Sequence, residues 1–502
     1  MLAVLTHTRA DPDLFGHVRF GQDILAAGGA VHAADPYSFA SDRAWINHEW
    51  LSEAAMFASY AWGGNAGLVA LKLMLLGAMI AAVVVVLRRS DVPSSSLDLL
   101  LGLLIVTTFP QTNHVRPQLF SLALFAWLLA TLVAARARPY LLLWTIPLLA
   151  VWVDVHGGWI VGAGTLALWT AIGLVPQGPV KDKIFRAAVT AAALLITLFN
   201  PYGAGMWAFL RATVGFGRAD ITDWQPVFVL GSAYAMLWTL TAIAATVGIW
   251  FALRQERDAS TSSGSSRASS RDEGVSRASR DWQSIALVAF FAVASFRVSR
   301  LQSFFTIATV MLVGPHVAAA WQRASTRRSP RVPSRLAAGI VMAIALAAVI
   351  GGATASARNL ACIRMEEQLF PEPDVARIVA DRQLRGRMLT WFDWGEYAIW
   401  YFAPGITVSM DGRRETVYSD EAINRHLTFY TSPEDRQAVL DSLQPDYVWV
   451  PSRLEVTSRL VADGWHPVFA GPISTLLSRS GGPALASRPA SRADAARCFP
   501  GP

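Results

Sequence analysis

Residues 140–175 read YLLLWTIPLLAVWVDVHGGWIVGAGTLALWTAIGLV, an apolar run whose main interruption is the polar stretch DVHGG at 154–158. A helix needs about 20 mostly apolar residues to cross the hydrocarbon core of a bilayer, and fewer where protein buries its ends. The run therefore predicts two spans, over 140–154 and 158–175, joined by a turn. Broken backbone at membrane depth occurs where protein buries it or where it lines a cavity, so this turn is a candidate site.

The composition extends this interpretation to the whole chain. Of the 502 residues, 53% are hydrophobic and 16% are charged. Soluble domains carry about a quarter charged residues, and disordered chains combine low hydrophobicity with high charge, so both classes are excluded. The sequence predicts an α-helical polytopic membrane protein with about ten spans. They cover residues 66–87, 97–110, 117–135, 140–154, 158–175, 187–201, 231–253, 283–297, 302–321 and 336–356.

Lysine and arginine are concentrated in alternate loops, most densely at 254–280 and 323–335. Because cytoplasmic loops carry an excess of these residues, this set of loops is predicted to face the cytoplasm. The loop 1–65, the short alternate loops and everything after residue 357 then lie outside, which is the topology of a protein of the inner (cytoplasmic) membrane. The net charge of +7 reflects this topology, and no nucleic acid partner is expected.

The chain divides into segments of different character. Strand-like and helix-like runs alternate after the last span, which predicts a small C-terminal α/β domain outside the membrane. Residues 1–10 are too short and too polar for a signal peptide, so we expect a further span upstream of Met1 in the full gene. The predicted segments are a first external loop with amphipathic helices (1–65), a first transmembrane part (66–253), a disordered cytoplasmic linker (254–281), the last three spans (282–357), the soluble domain (358–480) and a disordered tail (481–502).

Two acidic residues open the first external helix, at Asp11 and Asp13. They are candidates for a general base or for ligands of a divalent cation such as Mg²⁺ or Mn²⁺. The alternative is purely structural, with Asp11 capping the helix and Asp13 complementing its dipole. His17 lies one helical turn after Asp13 and is either a partner of Asp13 or a residue of the membrane interface.

The second external helix begins at His48 and Glu49, where Glu49 is either a second acid or base or a first-turn acid that complements the helix dipole. Arg116, Arg297 and Arg300 lie on the side where positive charge is disfavoured, so they call for a partner. A guanidinium binds phosphate in bidentate fashion, so a lipid-linked phosphate fits, and snorkelling to lipid head groups is the alternative.

Two further groups complete the candidates for substrate binding. Asp154 and His156 lie at the broken turn, where ionisable residues are functional or simply stabilise a tight turn. Asp223 and Trp224 could contact a sugar. The preceding residues Asn-Pro-Tyr-Gly at 200–203 are typical of a turn and indicate no function. Cys362 and Cys498 are both predicted outside, where a disulfide is permitted but not required.

Several segments together resemble a bacterial branch of the multi-span glycosyltransferases with the GT-C fold. They are DPDLFGHVRFGQDILAAGG and DPYSFASDRAWINHEWLSE in the first loop, then RPQLFSLALF, WVDVHGGWIVG, LFNPYGAGMW with DITDWQP, FRVSR, and WGEYAIWY and MDGR after the last span. The resemblance implies sugar transfer from a polyprenyl-phosphate donor outside the membrane. It implies an acidic residue in the first loop as base or metal ligand, matching Asp11 and Asp13, and an external arginine for the donor phosphate.

The sequence therefore predicts a membrane glycosyltransferase whose acceptor is an unknown glycan, lipid or protein, in contact with membrane lipids. Two alternatives stay open: a transporter or flippase for lipid-linked sugar, and a non-catalytic assembly protein. Among enzymes, a ligase that moves a whole glycan from a lipid pyrophosphate is also open. The sequence contains no P-loop, GxGxxG, GxSxG or HExxH motif, so nucleotide-driven transport and common hydrolase types lack their signatures.

Overall fold

The computed structural model describes residues 2–31, 34–176, 178–214, 221–262, 271–325, 335–366, 369–481 and 497–501. Helices dominate up to residue 361. They are α1 (Leu2–Thr6), α2 (Asp13–Ala26), α3 (Trp50–Arg89), α4 (Ser94–Thr112), α5 (Gln118–Ala135), α6 (Thr145–Val155), α7 (Trp159–Leu174), α8 (Val180–Leu195), α9 (Ala204–Val214), α10 (Ser232–Ser262), α11 (Arg271–Arg297), α12 (Gln302–Ala308), α13 (Gly314–Ser325) and α14 (Arg335–Ala361).

Six helical segments in the described residues are long and apolar enough to cross a membrane. They are Trp50–Arg89, Ser94–Thr112, Gln118–Ala135, Ser232–Arg254, Ser299–Arg323 and Met342–Ala361. Three shorter apolar segments are Pro139–Val155, Trp159–Leu174 and Trp282–Arg297. The helical membrane architecture is thus confirmed, whereas the count of about ten spans stays a prediction.

The two predicted external helices are present, but neither is a simple surface helix. The second is continuous with the first span in α3, which is kinked at Gly63 and Gly64, where Gly64 has φ 54°. Glycine adopts this left-handed backbone without steric cost. Helix α2 packs against α3 and buries Leu14, Phe15 and Val18 completely, because it is covered from the other side by the C-terminal domain.

The two segments that were predicted to be disordered differ from expectation. In the proposed linker 254–281, α10 continues to Ser262 and α11 begins at Arg271, while residues 263–270 lie outside the described residues. The prediction of a disordered tail over 481–502 is wrong for the last described residues, 497–501. There Phe499 is buried, since it packs on Phe15 with ring centroids 4.8 Å apart.

The C-terminal domain is built as the alternating pattern predicted. Its strands are β1 (Gly386–Thr390), β2 (Ile406–Val408), β3 (Tyr447–Pro451), β4 (His466–Ala470) and β5 (Ser474–Ser478), and its helices are α15 (Pro373–Asp381), α16 (Gly395–Phe402), α17 (Asp420–Thr431), α18 (Arg436–Leu443) and α19 (Val456–Ala462). They form one sheet in the order β2-β1-β3-β5-β4. Strand β1 is parallel to β2 and β3, and β5 is antiparallel to β3 and β4.

An ion pair and a cation–π contact fasten the domain to the first loop, residues 1–65. Arg413 makes ion pairs of 2.8 Å with Asp35 and 2.7 Å with Asp411, and its guanidinium lies 4.7 Å from the ring centre of Trp45. Cys362 and Cys498 form a disulfide that brings the end of the chain back to the start of the domain. These contacts hold α16 and the loop after β2 against the N-terminal turn of α2.

Candidate functional site

The start of α2 brings three of the predicted acidic residues to one arginine. Asp11 contacts Arg116 directly, and Arg116 lies 3.4 Å from Asp13 and 3.5 Å from Asp223. We call these four residues the aspartate–arginine cluster. Three carboxylates face one guanidinium, so the cluster is negative overall and would attract cations or hydrogen-bond donors rather than a bare anion.

Within this cluster, Asp11 is a structural residue. One of its carboxylate oxygens accepts the backbone N–H of Leu14 at 3.0 Å, and the other faces Arg116. Burial by itself raises the pKa of Asp11, but the charge of Arg116 and its hydrogen bond outweigh that effect and lower the pKa. The capping role considered for Asp11 is therefore realised, with both carboxylate oxygens in contact with partners.

Asp13 is different because 35% of its side chain is exposed. Its burial raises its pKa; Arg116 opposes this rise, and the charge of Asp11 adds to it. A carboxylate that is accessible and more basic than usual is suited to accept a proton from a substrate.

A second group, the histidine–glutamate cluster, lies next to the first. Nδ1 of His17 is 3.1 Å from Glu53 and 3.9 Å from Glu49. Glu49 in turn lies 3.5 Å from His48 and 3.6 Å from His156. The first loop and the broken turn between α6 and α7 therefore meet at Glu49.

The charges in this cluster shift its pKa values strongly. Burial raises the pKa of Glu49, but the electrostatic effect of four basic side chains lowers it to about 2. These are His48, His156, His17 and Arg300. Burial lowers the pKa of His17, yet the hydrogen bond to Glu53 and the charge of Glu49 raise it to about 9. His17 is thus a cation at neutral pH when nothing else is bound.

The same residues could hold a metal ion. Among the described residues, one ligand atom from each of His17, Glu49 and Glu53 lies within 4.8 Å of the other two. One imidazole nitrogen and two carboxylates are a donor set that suits Zn²⁺ or Mn²⁺. The predicted pair Asp11 and Asp13 faces the permanent positive charge of Arg116, which opposes a second cation there, so the trio fits a metal ion better.

The remaining candidates are spread around these clusters. Asp154 accepts a hydrogen bond of 2.8 Å from Nε1 of Trp50, and Trp224 lies in the short turn that also holds Asp223. Nδ1 of His156 accepts the backbone N–H of Gly158 at 2.9 Å, so its role in the turn is realised as well. The structure brings Arg300 within electrostatic reach of Glu49, whereas Arg297 is exposed at the end of α11 and pairs with no described residue.

Two acidic residues of the site escaped the sequence analysis. Glu53 follows Glu49 by one helical turn on the same face of α3, a spacing that could have identified it. Glu396 lies in the apolar helix α16, and its Oε2 accepts the backbone N–H of Gly16 at 3.1 Å. Only the fold reveals that the C-terminal domain places this carboxyl against α2.

Comparison with known proteins places the fold among membrane glycosyltransferases. No family model matches the sequence, and no curated protein is similar to it in sequence. The apo oligosaccharyltransferase of Archaeoglobus fulgidus superposes with a TM-score of 0.59 at 10% identity, over 89% of this chain and 66% of that chain. The chain therefore spans just under two thirds of that enzyme.

Two further solved structures agree. ArnT from Cupriavidus metallidurans, bound to undecaprenyl phosphate, has a TM-score of 0.51 at 13% identity over 97% of this chain and 96% of that chain. The arabinofuranosyltransferase AftD from Mycobacteria has a TM-score of 0.51 at 13% identity over 96% of this chain and 41% of its own. The GT-C fold that the sequence motifs implied is therefore confirmed.

Proposed function

We propose that this chain is a membrane glycosyltransferase that moves a sugar from a polyprenyl-phosphate donor to an acceptor hydroxyl or amine. The observation that carries the proposal is the position of Asp13, an accessible carboxylate at the start of α2 in a fold shared with solved glycosyltransferases. One of those structures holds undecaprenyl phosphate, and an archaeal AglB structure holds dolichol-phosphate with an inhibitory peptide. These ligands support a lipid-phosphate donor here.

In this proposal Asp13 accepts the proton of the attacking acceptor group. The acceptor atom forms a bond to the anomeric carbon, and the bond from that carbon to the phosphate oxygen breaks with its electrons on the phosphate. Arg116 holds Asp13 in place from 3.4 Å, but its charge is matched by three carboxylates. We therefore assign the donor phosphate to Arg300, for which no described carboxylate is an ion-pair partner, with Arg116 as the alternative.

The histidine–glutamate cluster would hold a divalent cation beside the donor. His17, Glu49 and Glu53 supply its ligands, and a cation there would stabilise the negative charge that grows on the departing phosphate. An Archaeoglobus fulgidus oligosaccharyltransferase was crystallised with Zn and sulfate, which agrees with metal use in this fold. The same proposal includes about ten membrane spans, a location in the inner membrane and a C-terminal domain on its outer side.

Turnover of a panel of polyprenyl-phosphate sugars by the purified protein in lipid nanodiscs tests this function. We expect release of polyprenyl phosphate from at least one donor, and loss of that release in EDTA with recovery on adding Mn²⁺ or Zn²⁺. Release that is insensitive to EDTA would remove the metal from the proposal. Binding of donors without release from any of them would contradict the enzyme and favour a transporter of lipid-linked sugar.

A further inference from the structure

A lysine is buried inside the first long apolar helix. Lys72 lies in the segment Trp50–Arg89 of α3, which is long and apolar enough to cross a membrane, and its side chain is completely buried. No described carboxylate forms an ion pair with it. A buried ammonium group without a counter-ion is costly, and ionisable residues at membrane depth mark functional positions. Lys72 belongs to neither of the two clusters, so its presence needs a separate explanation.

The ammonium group of Lys72 holds the chain just before the site. Its Nζ donates hydrogen bonds to the backbone oxygen of His7 at 2.6 Å and to Oγ1 of Thr8 at 3.1 Å. Residues 7–10 connect α1 to Asp11, and we call them the 7–10 segment. Hydrogen bonds from a charged donor are stronger than those between neutral groups, so Lys72 anchors the 7–10 segment firmly to α3.

Backbone pairing extends this anchoring to the aspartate–arginine cluster. Arg9 donates its backbone N–H to Asn113 at 2.9 Å, and Arg9 and His114 form a parallel bridge. Along paired extended chains, side chains two residues apart face the same side. Asp11 and Arg116 each lie two residues beyond the bridge, so the pairing brings their side chains into contact.

The helix that carries Asp13 starts from this fixed point. Asp11 accepts the backbone N–H of Leu14 at 3.0 Å, and α2 begins at Asp13. A shift of the 7–10 segment would therefore move Asp13 relative to the rest of the site. A displacement of about 1 Å in a reacting group costs about 100-fold in rate, so the position of this segment matters for catalysis.

We propose that Lys72 is a positioning residue for sugar transfer. It fixes the 7–10 segment from within the helical bundle, and through that segment the place of Asp13, without contacting a substrate. This rests on the proposed role of Asp13 as the base. The buried charge is retained because it donates to two oxygens at once, which no apolar side chain can do.

Substitutions at both ends of this contact test the proposal. Lys72→Met keeps the length of the side chain but donates no hydrogen bond. We expect its kcat for polyprenyl phosphate release to fall about 100-fold, with the donor KM within about twofold of wild type. Thr8→Val removes one of the two acceptors and should cause a smaller fall in kcat. Thr8→Ser keeps the hydroxyl and should retain the wild-type kcat.

Glu366→Gln is the matched control. It removes the charge that pairs with Arg9 on the same segment, where both side chains are nearly half exposed. Exposed ion pairs contribute little, so this variant should keep the wild-type kcat.

A second readout needs no activity. Amide hydrogen exchange reports how firmly backbone hydrogen bonds are held. Peptides that cover residues 8–14 should exchange faster in Lys72→Met than in the wild type, and should be unchanged in Glu366→Gln.

The outcomes separate this inference from the proposed function. Wild-type kcat in Lys72→Met, or unchanged exchange over residues 8–14, would overturn the positioning role and leave the proposed function standing. A raised donor KM with kcat preserved would also overturn it and assign Lys72 to donor binding. If Lys72→Met fails to fold, equal kcat in Thr8→Val and Thr8→Ser would overturn the role. Exchange that depends on Lys72, in a wild type that releases no polyprenyl phosphate from any donor, would overturn glycosyl transfer itself.

Discussion

The aspartate–arginine cluster and the histidine–glutamate cluster lie side by side but balance their charges in different ways. In the first, Arg116 compensates three carboxylates with a charge that is permanent. In the second, Glu49 and Glu53 face histidines whose charge depends on pH. The first cluster is therefore a fixed arrangement, whereas the second can exchange protons for a metal ion. The difference predicts that the two clusters respond differently to mutation, pH and chelation.

The largest effect is expected at Asp13. Asp13→Asn removes the base but keeps the shape of the side chain, and general base catalysis contributes about 10²- to 10⁴-fold. We expect kcat to fall by that factor with the melting temperature unchanged, because the side chain is 35% exposed and is not a packing element. Initial rates of polyprenyl phosphate release check this, and a rate within threefold of wild type would rule out Asp13 as the base.

Asp11→Asn sharpens the contrast inside the same cluster. The substitution removes the anionic partner of Arg116 from a buried position, and breaking a buried ion pair costs about 3 kcal/mol. We expect a clear fall in the free energy of unfolding for Asp11→Asn and little or none for Asp13→Asn, whose side chain is partly exposed and lies further from Arg116, at 3.4 Å. Denaturation in detergent compares the two variants, and equal stabilities would contradict the separate roles given to these aspartates.

The histidine–glutamate cluster should make stability depend on pH. The pKa of His17 rises from 6.5 to about 9 on folding, so its stabilisation is complete below pH 6.5 and is lost as the pH rises to about 9. The loss amounts to up to about 3 kcal/mol in the metal-free protein. Melting temperatures in EDTA should therefore fall over this range in the wild type. The same slope in His17→Gln would show that another group is responsible.

The smallest effect is expected on donor binding, where Arg300 should differ from Arg297. From sequence, both were candidates for binding the donor phosphate. Arg300 acts on Glu49, whereas Arg297 is exposed and pairs with no described residue. A charged hydrogen bond contributes about 1.5–3 kcal/mol, so Arg300→Ala should raise the donor KM by tenfold or more. Arg297→Ala serves as the matched control and should leave the donor KM unchanged. Equal increases for the two variants would place the donor phosphate elsewhere.

The elements that rest on local patterns could be predicted from sequence. The apolar runs gave the helical membrane architecture, and short β-rich runs such as DYVWV predicted the strands of the C-terminal sheet. Asp11 and Asp13 were identified as a pair of carboxylates that opens a helix, and Arg116 because positive charge is disfavoured on the predicted outer side.

The rest depends on tertiary contacts that no local pattern encodes. Glu396 looks like part of an apolar helix until α16 is packed against Gly16 of α2. Asp11 and Asp13 are neighbours at the start of α2, but Arg116 and Asp223 come from distant parts of the chain. The phosphate-binding role of Arg116 therefore could not be weighed beforehand. Phe499 ends a segment of low complexity, and its burial depends on the disulfide between Cys362 and Cys498 and on the aromatic contact with Phe15.

We propose that the two clusters carry out sugar transfer and not movement of an intact lipid. Proteoliposomes that contain a polyprenyl-phosphate sugar labelled in the sugar distinguish the two, since donor consumption and donor movement between leaflets can be followed together. We expect donor to be converted to polyprenyl phosphate on the side that Asp13 faces, and Asp13→Asn to stop this conversion. Intact donor that reaches the opposite leaflet, without polyprenyl phosphate being formed, would contradict it.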